Sequence, residues 1–354
     1  MPQQIFKLSG HDMQYTGSAP KKQVKLPDGE ITWPRNTVII LLGPTGVGKT
    51  DLSILLAKAL DTEIISADSM QIYLHMDIGT AKPSPLELKK VKHHMVNLLS
   101  PGESFSAGLF KKMAIRIIDD LHSKNKVPVI VGGTGLYIKT LTRGLFEGPE
   151  ADPLLREKLM KQERYFGRGH LYKYLKKTDP VSADKVNSND TRRIIRALEV
   201  SLKSGKTISE FQQLSTVSQP YNFIKIGLLR ERKELYARIE QRVDAMMEKG
   251  LLKETEELLK INPHRTSLQA LGYKEMQLYI KGSVSAEEAV RLLKKRTKMY
   301  AKRQFTWFRK EPGIKWMDIT GIEDAGKIFD KVVNEVEILN KLLYGRTSGE
   351  NQDV

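Results

Sequence analysis

Gly43, Gly48, Lys49 and Thr50 stand in the spacing G-x-x-x-x-G-K-[ST], inside the stretch TVIILLGPTGVGKT of residues 37–50. That spacing suits phosphate. Glycines let the backbone curl so that successive N–H groups converge on one anion. The helix that follows adds the positive end of its dipole, and Lys49 adds a mobile cation. The whole loop, Gly43, Pro44, Thr45, Gly46, Val47, Gly48, Lys49 and Thr50, is therefore expected to hold a phosphate ligand. Thr50 carries a hydroxyl of the kind found in Mg²⁺ shells, so Mg²⁺ is the expected cofactor and Thr50 the expected metal residue. The motif leaves open which phosphate compound binds and which reaction follows.

Other residues could do chemistry beside it. Asp68 ends the predicted strand 63–67, and in open α/β sheets ligands collect at the carboxyl ends of strands. A general base, a carboxylate near the metal shell and a helix N-cap all suit an Asp there. The run Val127 to Val131 leads into Gly132, Gly133, Thr134 and Gly135, a second flexible turn whose N–H groups and Thr134 hydroxyl could face the same crevice, with Lys139 one helical turn on. Arg230, Arg232 and Lys233 follow the run 222–229, the right edge for a phosphate clamp. Arg192 and Arg196 share a helix face at i, i+4 and could grip phosphates, although solvated charge is the commoner reason for such a pair.

The elements that must position these groups alternate in period. Val38 to Leu42 and the runs 63–67, 127–131 and 222–229 read as strands, with helices predicted over 51–60, 106–125 and 233–249. Residues 84–95 also read as helix, on which adjacent His93 and His94 point apart and make a poor metal pair. The expected fold class is α/β: a core like the P-loop NTPases, a parallel sheet flanked by helices, plus an inserted all-helical domain. The shift in composition near Gly148 to Pro153 marks the start of that insertion. Residues 151–220 show helical periodicity and many Lys and Arg, so the core spans 37–150 and 221–320. Residues 286–307 read as a long helix carrying Arg291, Lys294, Lys295, Arg296, Lys298, Lys302 and Arg303, a face suited to a nucleic-acid backbone. Trp307 and Phe308 read as core. Residues 1–36 are expected to form a mobile extension, and 321–354 a C-terminal helix and a disordered tail.

The 354-residue chain has a formal net charge of +16, which favours a polyanionic partner. It has no cysteine, so disulfides and thiolate metal sites are excluded. No apolar run approaches the roughly 20 residues of a membrane span, and the N-terminus lacks the pattern of a secretory signal. A cytoplasmic protein with no membrane partner is expected.

Several strings occur together in order: GPTGVGKT (43–50), ADSMQIY (67–73), MDIGTAKP (76–83), VGGTGLY (131–137), NDTRRIIRALE (189–199) and AKRQFTWFR (301–309). In these the chain closely resembles the tRNA dimethylallyltransferases, or tRNA isopentenyltransferases, from about residue 37 to about 310. The phosphate loop alone is shared with many families; the second and third strings are far more specific. The resemblance implies that N6 of the adenosine just 3′ of the anticodon attacks C1 of dimethylallyl diphosphate, and that the loop grips the donor's diphosphate rather than ATP. It implies two partners, the tRNA anticodon stem-loop and dimethylallyl diphosphate, and a monomer. Carried onto matching residues, it makes Asp68 the base that takes the N6 proton. Thr45 and Thr134 would add hydroxyl contacts near the reacting atoms, and Lys49, Mg²⁺ at Thr50 and Arg232 would stabilise the leaving diphosphate. It implies tRNA contacts at Asp68, Ser69, Met70 and Gln71, at Thr134 and Arg156, at Arg192, Arg193, Ile194, Ile195 and Arg196, and at Gln269, Ala270, Leu271, Gly272, Tyr273 and Lys274. Gln269 and Lys274 stand where arginines are common in relatives.

Two other readings compete. A small-molecule or nucleotide kinase also needs a phosphate loop, an Asp base and an arginine-bearing helical lid, but leaves the +16 charge without a role. A non-catalytic, nucleotide-switched RNA-binding protein needs the loop but not Asp68.

Overall fold

A computed structural model of the chain describes residues 36–144, 146, 148–214 and 219–344. The expected mobile extension, except Asn36, and the expected disordered tail lie outside the described residues.

The first half runs β1 (Thr37–Leu42), α1 (Lys49–Ala59), β2 (Ile64–Ser66), α2 (Pro85–Lys90), β3 (His93–His94), α3 (Ala107–Ser123), β4 (Val129–Gly132) and α4 (Gly135–Arg143). Five helices follow: α5 (Pro153–Tyr165), α6 (His170–Thr178), α7 (Pro180–Lys185), α8 (Thr191–Ser204) and α9 (Ile208–Leu214). The chain then forms β5 (Asn222–Leu229), α10 (Arg232–Glu248), α11 (Leu251–Lys260), α12 (Arg265–Leu268), α13 (Tyr273–Ile280) and α14 (Ala286–Phe308). It ends in β6 (Ile314–Asp318), α15 (Ala325–Glu335) and α16 (Glu337–Tyr344).

All strand pairings are parallel, in the order β3-β2-β4-β1-β5-β6. A parallel sheet must bury both faces, which is why β1 is apolar from Val38 to Leu42 and why every one of its residues is buried. Ile39 and Leu41 pack with Leu52 and Leu56 of α1 and with Ile239 of α10; Val38, Ile40 and Leu42 pack on the other face with Phe110 and Ile118 of α3 and Ile138 of α4. Helices α5 to α8 enclose a separate apolar cluster that includes Leu159, Leu171, Leu175, Ile194 and Leu198. Each of three helices here starts on a carboxylate: Asp152 caps α5, Asp179 caps α7 and Asp190 caps α8.

Two details differ from the sequence reading. The helix expected over 84–95 stops at Lys90, and His93 and His94 form the edge strand β3. Ser84 and Glu87 make a reciprocal capping box that starts the helix, but Val91 is already extended at φ −146° and ψ 138°, and His93 and His94 pair with β2 instead. Strand β6 was not foreseen; its pairing with β5 supplies the order that its own five residues lack.

Candidate active site

The phosphate loop occupies the carboxyl end of β1, as its strand-turn-helix pattern requires. Gly48 caps α1 with φ 109°, a conformation open to glycine and costly for other residues. The Lys49 ammonium folds back on the loop and donates to the carbonyls of Gly43 at 2.9 Å and Pro44 at 2.8 Å. The Thr45 N–H donates at 2.9 Å to Oε1 of Gln304 on α14, and the Gln304 amide donates in turn to the Gly133 carbonyl at 2.9 Å. One buried side chain thus ties both glycine turns together.

Beyond the loop opens a cavity of about 910 Å³. Thr45, Gly46, Gly48, Lys49 and Thr50 form one wall, and Asp68, Ser69, Met70 and Gln71 a second. Helix α10 contributes Arg238, Arg242, Val243 and Met246, and α14 contributes Leu293, Arg296, Tyr300, Arg303 and Gln304. Gln269, Ala270, Leu271 and Lys274 also line it.

Asp68 lies just past β2. Its Oδ1 accepts from the N–H of Met70 at 2.8 Å and of Gln71 at 3.4 Å, so it caps a turn rather than a helix. Its Oδ2 has no hydrogen-bond partner among the described residues. The Thr134 hydroxyl accepts the Ser69 N–H at 3.1 Å and so holds that turn against the start of α4.

The charges in the cavity are unbalanced. Burial pushes the Lys49 ammonium down to about 7, the neighbouring Arg242 guanidinium pushes the same way, and Asp68 opposes both. Arg242 is also pushed down by burial and held up by Asp68. Two desolvated cations therefore share one carboxylate, which is the electrostatic state that an anionic ligand relieves. Tyr300 is pushed up by burial, with Asp68 adding to the shift.

The loop of residues 77–83 is held from behind by Glu254 of α11. Its carboxylate accepts the N–H groups of Asp77, Ile78 and Gly79 at 2.8–3.0 Å and the Tyr273 hydroxyl at 2.6 Å. The carbonyls of Thr80 and Ala81 then take the Gln71 amide, at 3.5 Å and 3.4 Å.

The structure brings together Thr45, Gly46, Gly48, Lys49, Thr50, Asp68 to Gln71, and Gln269, Ala270, Leu271 and Lys274 of the residues expected from sequence. It does not bring Arg232. That side chain is exposed in the first turn of α10 and lies over the Tyr236 ring at 5.1 Å, away from the cavity. Arg230 is buried and donates to the carbonyls of Val47, Ile319 and Ile322, which makes it a brace behind the loop. The cations that do line the cavity from α10 are Arg238, whose Nε donates to the Gly46 carbonyl at 3.2 Å, and Arg242. Arg238 and Arg242 recur at i, i+4 alongside the buried Ile239 and Val243, a helical signal already present in the sequence.

The remaining expected contacts lie elsewhere. Ile194 and Ile195 are core residues of the helical lobe, and Tyr273 is fully buried against Gly79, so their side chains are closed to RNA. Arg192 is exposed, and Arg193 pairs with Asp190 at 3.1 Å. Arg156 and Arg196 both bind Glu199. His93 lines the cavity and is pushed towards its neutral form by burial. Phe308 is buried, but Trp307 is partly exposed.

A family model described as IPP transferase matches residues 71–311. The chain is 52% identical over 315 residues to the tRNA dimethylallyltransferase of Thermodesulfovibrio yellowstonii, covering 87% of this chain and 100% of that one. It is 46% identical over 308 residues to that of Carboxydothermus hydrogenoformans, covering 86% and 99%. Among solved structures it is similar to the full-length tRNA isopentenylpyrophosphate transferase of Bacillus halodurans, with 39% identity, TM-score 0.63 and coverage of 87% and 99%. It is also similar to a eukaryotic dimethylallyltransferase acting on tRNA, with 28% identity, TM-score 0.76 and coverage of 90% and 82%.

Proposed function

The chain belongs to the IPP transferase family, and from that premise we propose how its cavity performs the reaction of a tRNA dimethylallyltransferase. The chain is a transferase acting on tRNA. The donor is dimethylallyl diphosphate, and the acceptor is N6 of the adenosine 3′-adjacent to the anticodon. The N6 nitrogen forms a bond to C1 of the donor as the C1–O bond breaks, diphosphate leaves, and the Asp68 carboxylate takes the N6 proton.

One observation carries this reading. Lys49 and Arg242, both desolvated, share Asp68 across a cavity that also presents Val243, Met246 and Leu293. The cations suit a leaving group whose negative charge grows in the transition state. The apolar side chains suit a five-carbon allyl chain. Asp68 stands at the junction, with Oδ1 used by the turn and Oδ2 left for a proton. An exocyclic amine is a weak nucleophile, and a positioned base is worth about 10²–10⁴ in rate.

Mg²⁺ fits the donor set. Thr50, which carries a hard hydroxyl oxygen, lines the cavity beside Lys49, and Mg²⁺ commonly takes one or two protein oxygens and completes its shell from phosphates and water. Thr50 would hold the ion, which when bound would supply further positive charge at the diphosphate.

The target base must leave the anticodon-loop stack to reach Asp68, a cost of about a few kcal/mol that phosphate contacts offset. Arg303 and Lys274, which line the cavity, supply positive charge for them, while Arg296 pairs with Glu275 at 2.6 Å. The enzyme works as a monomer in the cytoplasm; among the described residues no helix is long and apolar enough to cross a membrane.

The test is to incubate the protein with tRNA and either dimethylallyl diphosphate or ATP, and to read tRNA nucleosides by mass spectrometry. Dimethylallyladenosine from the first mixture is the expected result. ATP consumption without prenylated tRNA would overturn the reading in favour of a kinase.

A further inference from the structure

Glu199 is fully buried inside the helical lobe, yet three groups converge on it. Its Oε1 accepts the Asp152 N–H at 2.7 Å and Arg156 Nε at 2.8 Å, while Oε2 accepts Arg156 Nη2 at 2.8 Å and Arg196 Nη1 at 2.6 Å. Arg196 Nη2 also donates to the Pro149 carbonyl at 3.0 Å. Burial pushes the carboxyl up, but these hydrogen bonds outweigh it and hold Glu199 down at about 2. The cluster is not a balanced ion pair. One carboxylate faces two guanidiniums, whose side chains remain 42% and 31% exposed, so a positive charge is left over at the surface. Neither arginine lines the cavity.

We propose that Glu199 is the positioning residue of a two-arginine clamp, aiming Arg156 and Arg196 at the phosphate backbone of the bound tRNA. The inference rests on tRNA being the substrate. The side-on grip of Arg156 fixes the plane of its guanidinium and turns its remaining N–H edge outward, the arrangement that reads a phosphate in two-pronged fashion. The ordering of two long side chains is thereby completed before RNA arrives.

The test measures binding of full-length tRNA over a salt series, with steady-state kinetics, for the whole chain and its variants. Glu199→Gln keeps an oxygen for the Asp152 N–H but removes a negative charge. Bulk electrostatics alone makes that variant bind tRNA more tightly. The clamp makes it bind roughly tenfold more weakly, with the salt slope, the donor KM and kcat at saturating tRNA unchanged. Arg156→Ala with Arg196→Ala lowers both affinity and slope, and Glu199→Gln added to that background costs nothing more. Unchanged or tighter binding by Glu199→Gln overturns the proposal, as does a further loss on the double-Ala background. If Glu199→Gln does not fold, Arg156→Lys with Arg196→Lys decides: the charges stay but the fork is lost, and affinity falls under the proposal and holds without it. Wild-type protein that neither binds nor prenylates tRNA overturns the substrate reading instead.

Discussion

Thr45 and Gln304 are joined across 259 positions of sequence by one hydrogen bond of 2.9 Å from the Thr45 N–H to the Gln304 side-chain oxygen. Because the same amide also holds Gly133, the two turns at the carboxyl ends of β1 and β4 are spaced by a side chain of α14. Gln304→Ala leaves the Thr45 N–H and the Gly133 carbonyl unpaired, which costs about 1–3 kcal/mol of stability. The expected outcome is a lower Tm together with a donor KM raised about tenfold, read by calorimetry and by titrating donor at saturating tRNA. A donor KM equal to wild type would show that the bond only supports the fold.

Asp68→Asn is the cleaner test of the base, since its amide oxygen still accepts from Met70 and Gln71 and so preserves the turn. Turnover is expected to fall by about 10²–10⁴, with tRNA affinity retained in a filter-binding assay. Full activity would remove Asp68 from the proton transfer.

Lys49 sets a pH signature. Its ammonium titrates near 7 in the unliganded cavity against 10.5 when free, so above pH 7 it is largely neutral. An arriving diphosphate favours the charged form and raises that value. Diphosphate binding at pH 8 is therefore coupled to proton uptake, approaching about one proton per site, and the uptake fades as pH falls below 7. The folded pKa is the depressed one, so the same group makes the unliganded protein gain stability as pH rises from 7 towards 10.5. Calorimetric titration in buffers of different ionisation enthalpy measures the uptake, and Lys49→Met should abolish it.

Arg242 and Arg232 separate the cavity from the strand edge. Arg242→Ala is expected to lower kcat/KM by about 10²–10³, the scale of one lost charge-stabilising group, whereas Arg232→Ala should stay within about twofold of wild type. Steady-state assays of the two purified variants give the comparison directly, and the reverse ranking would restore Arg232 to the leaving group.

That pair also shows how far the sequence could be read. The phosphate loop is legible because its whole function lies in eight consecutive residues between a strand and a helix. Asp68 is legible because a strand end is a local feature. Arg242 is harder: Arg232 sits nearer the end of β5, and only the path of α10 over the sheet brings its second and third turns, not its first, to the cavity. Gln304 carried no local signal at all, since a glutamine in a basic helix looks solvated until two distant turns close around it. Ile194 and Ile195 belong to a stretch singled out for RNA contact, yet they alternate with its arginines at helical period and face the lobe's interior. Strands β3 and β6 are too short or too polar to declare themselves without their neighbours.

The tightest part of the wall behind Gly43 comes from outside its own loop. A methyl group there would come within 2.7 Å of the Leu228 carbonyl of β5, which pairs with β1 along its full length. During synthesis the ribosome therefore delivers the complete phosphate motif long before it delivers the strand that walls it. Until about 185 further residues have emerged, the nascent chain holds the letters of an anion site without its floor, and β1 waits with one open edge.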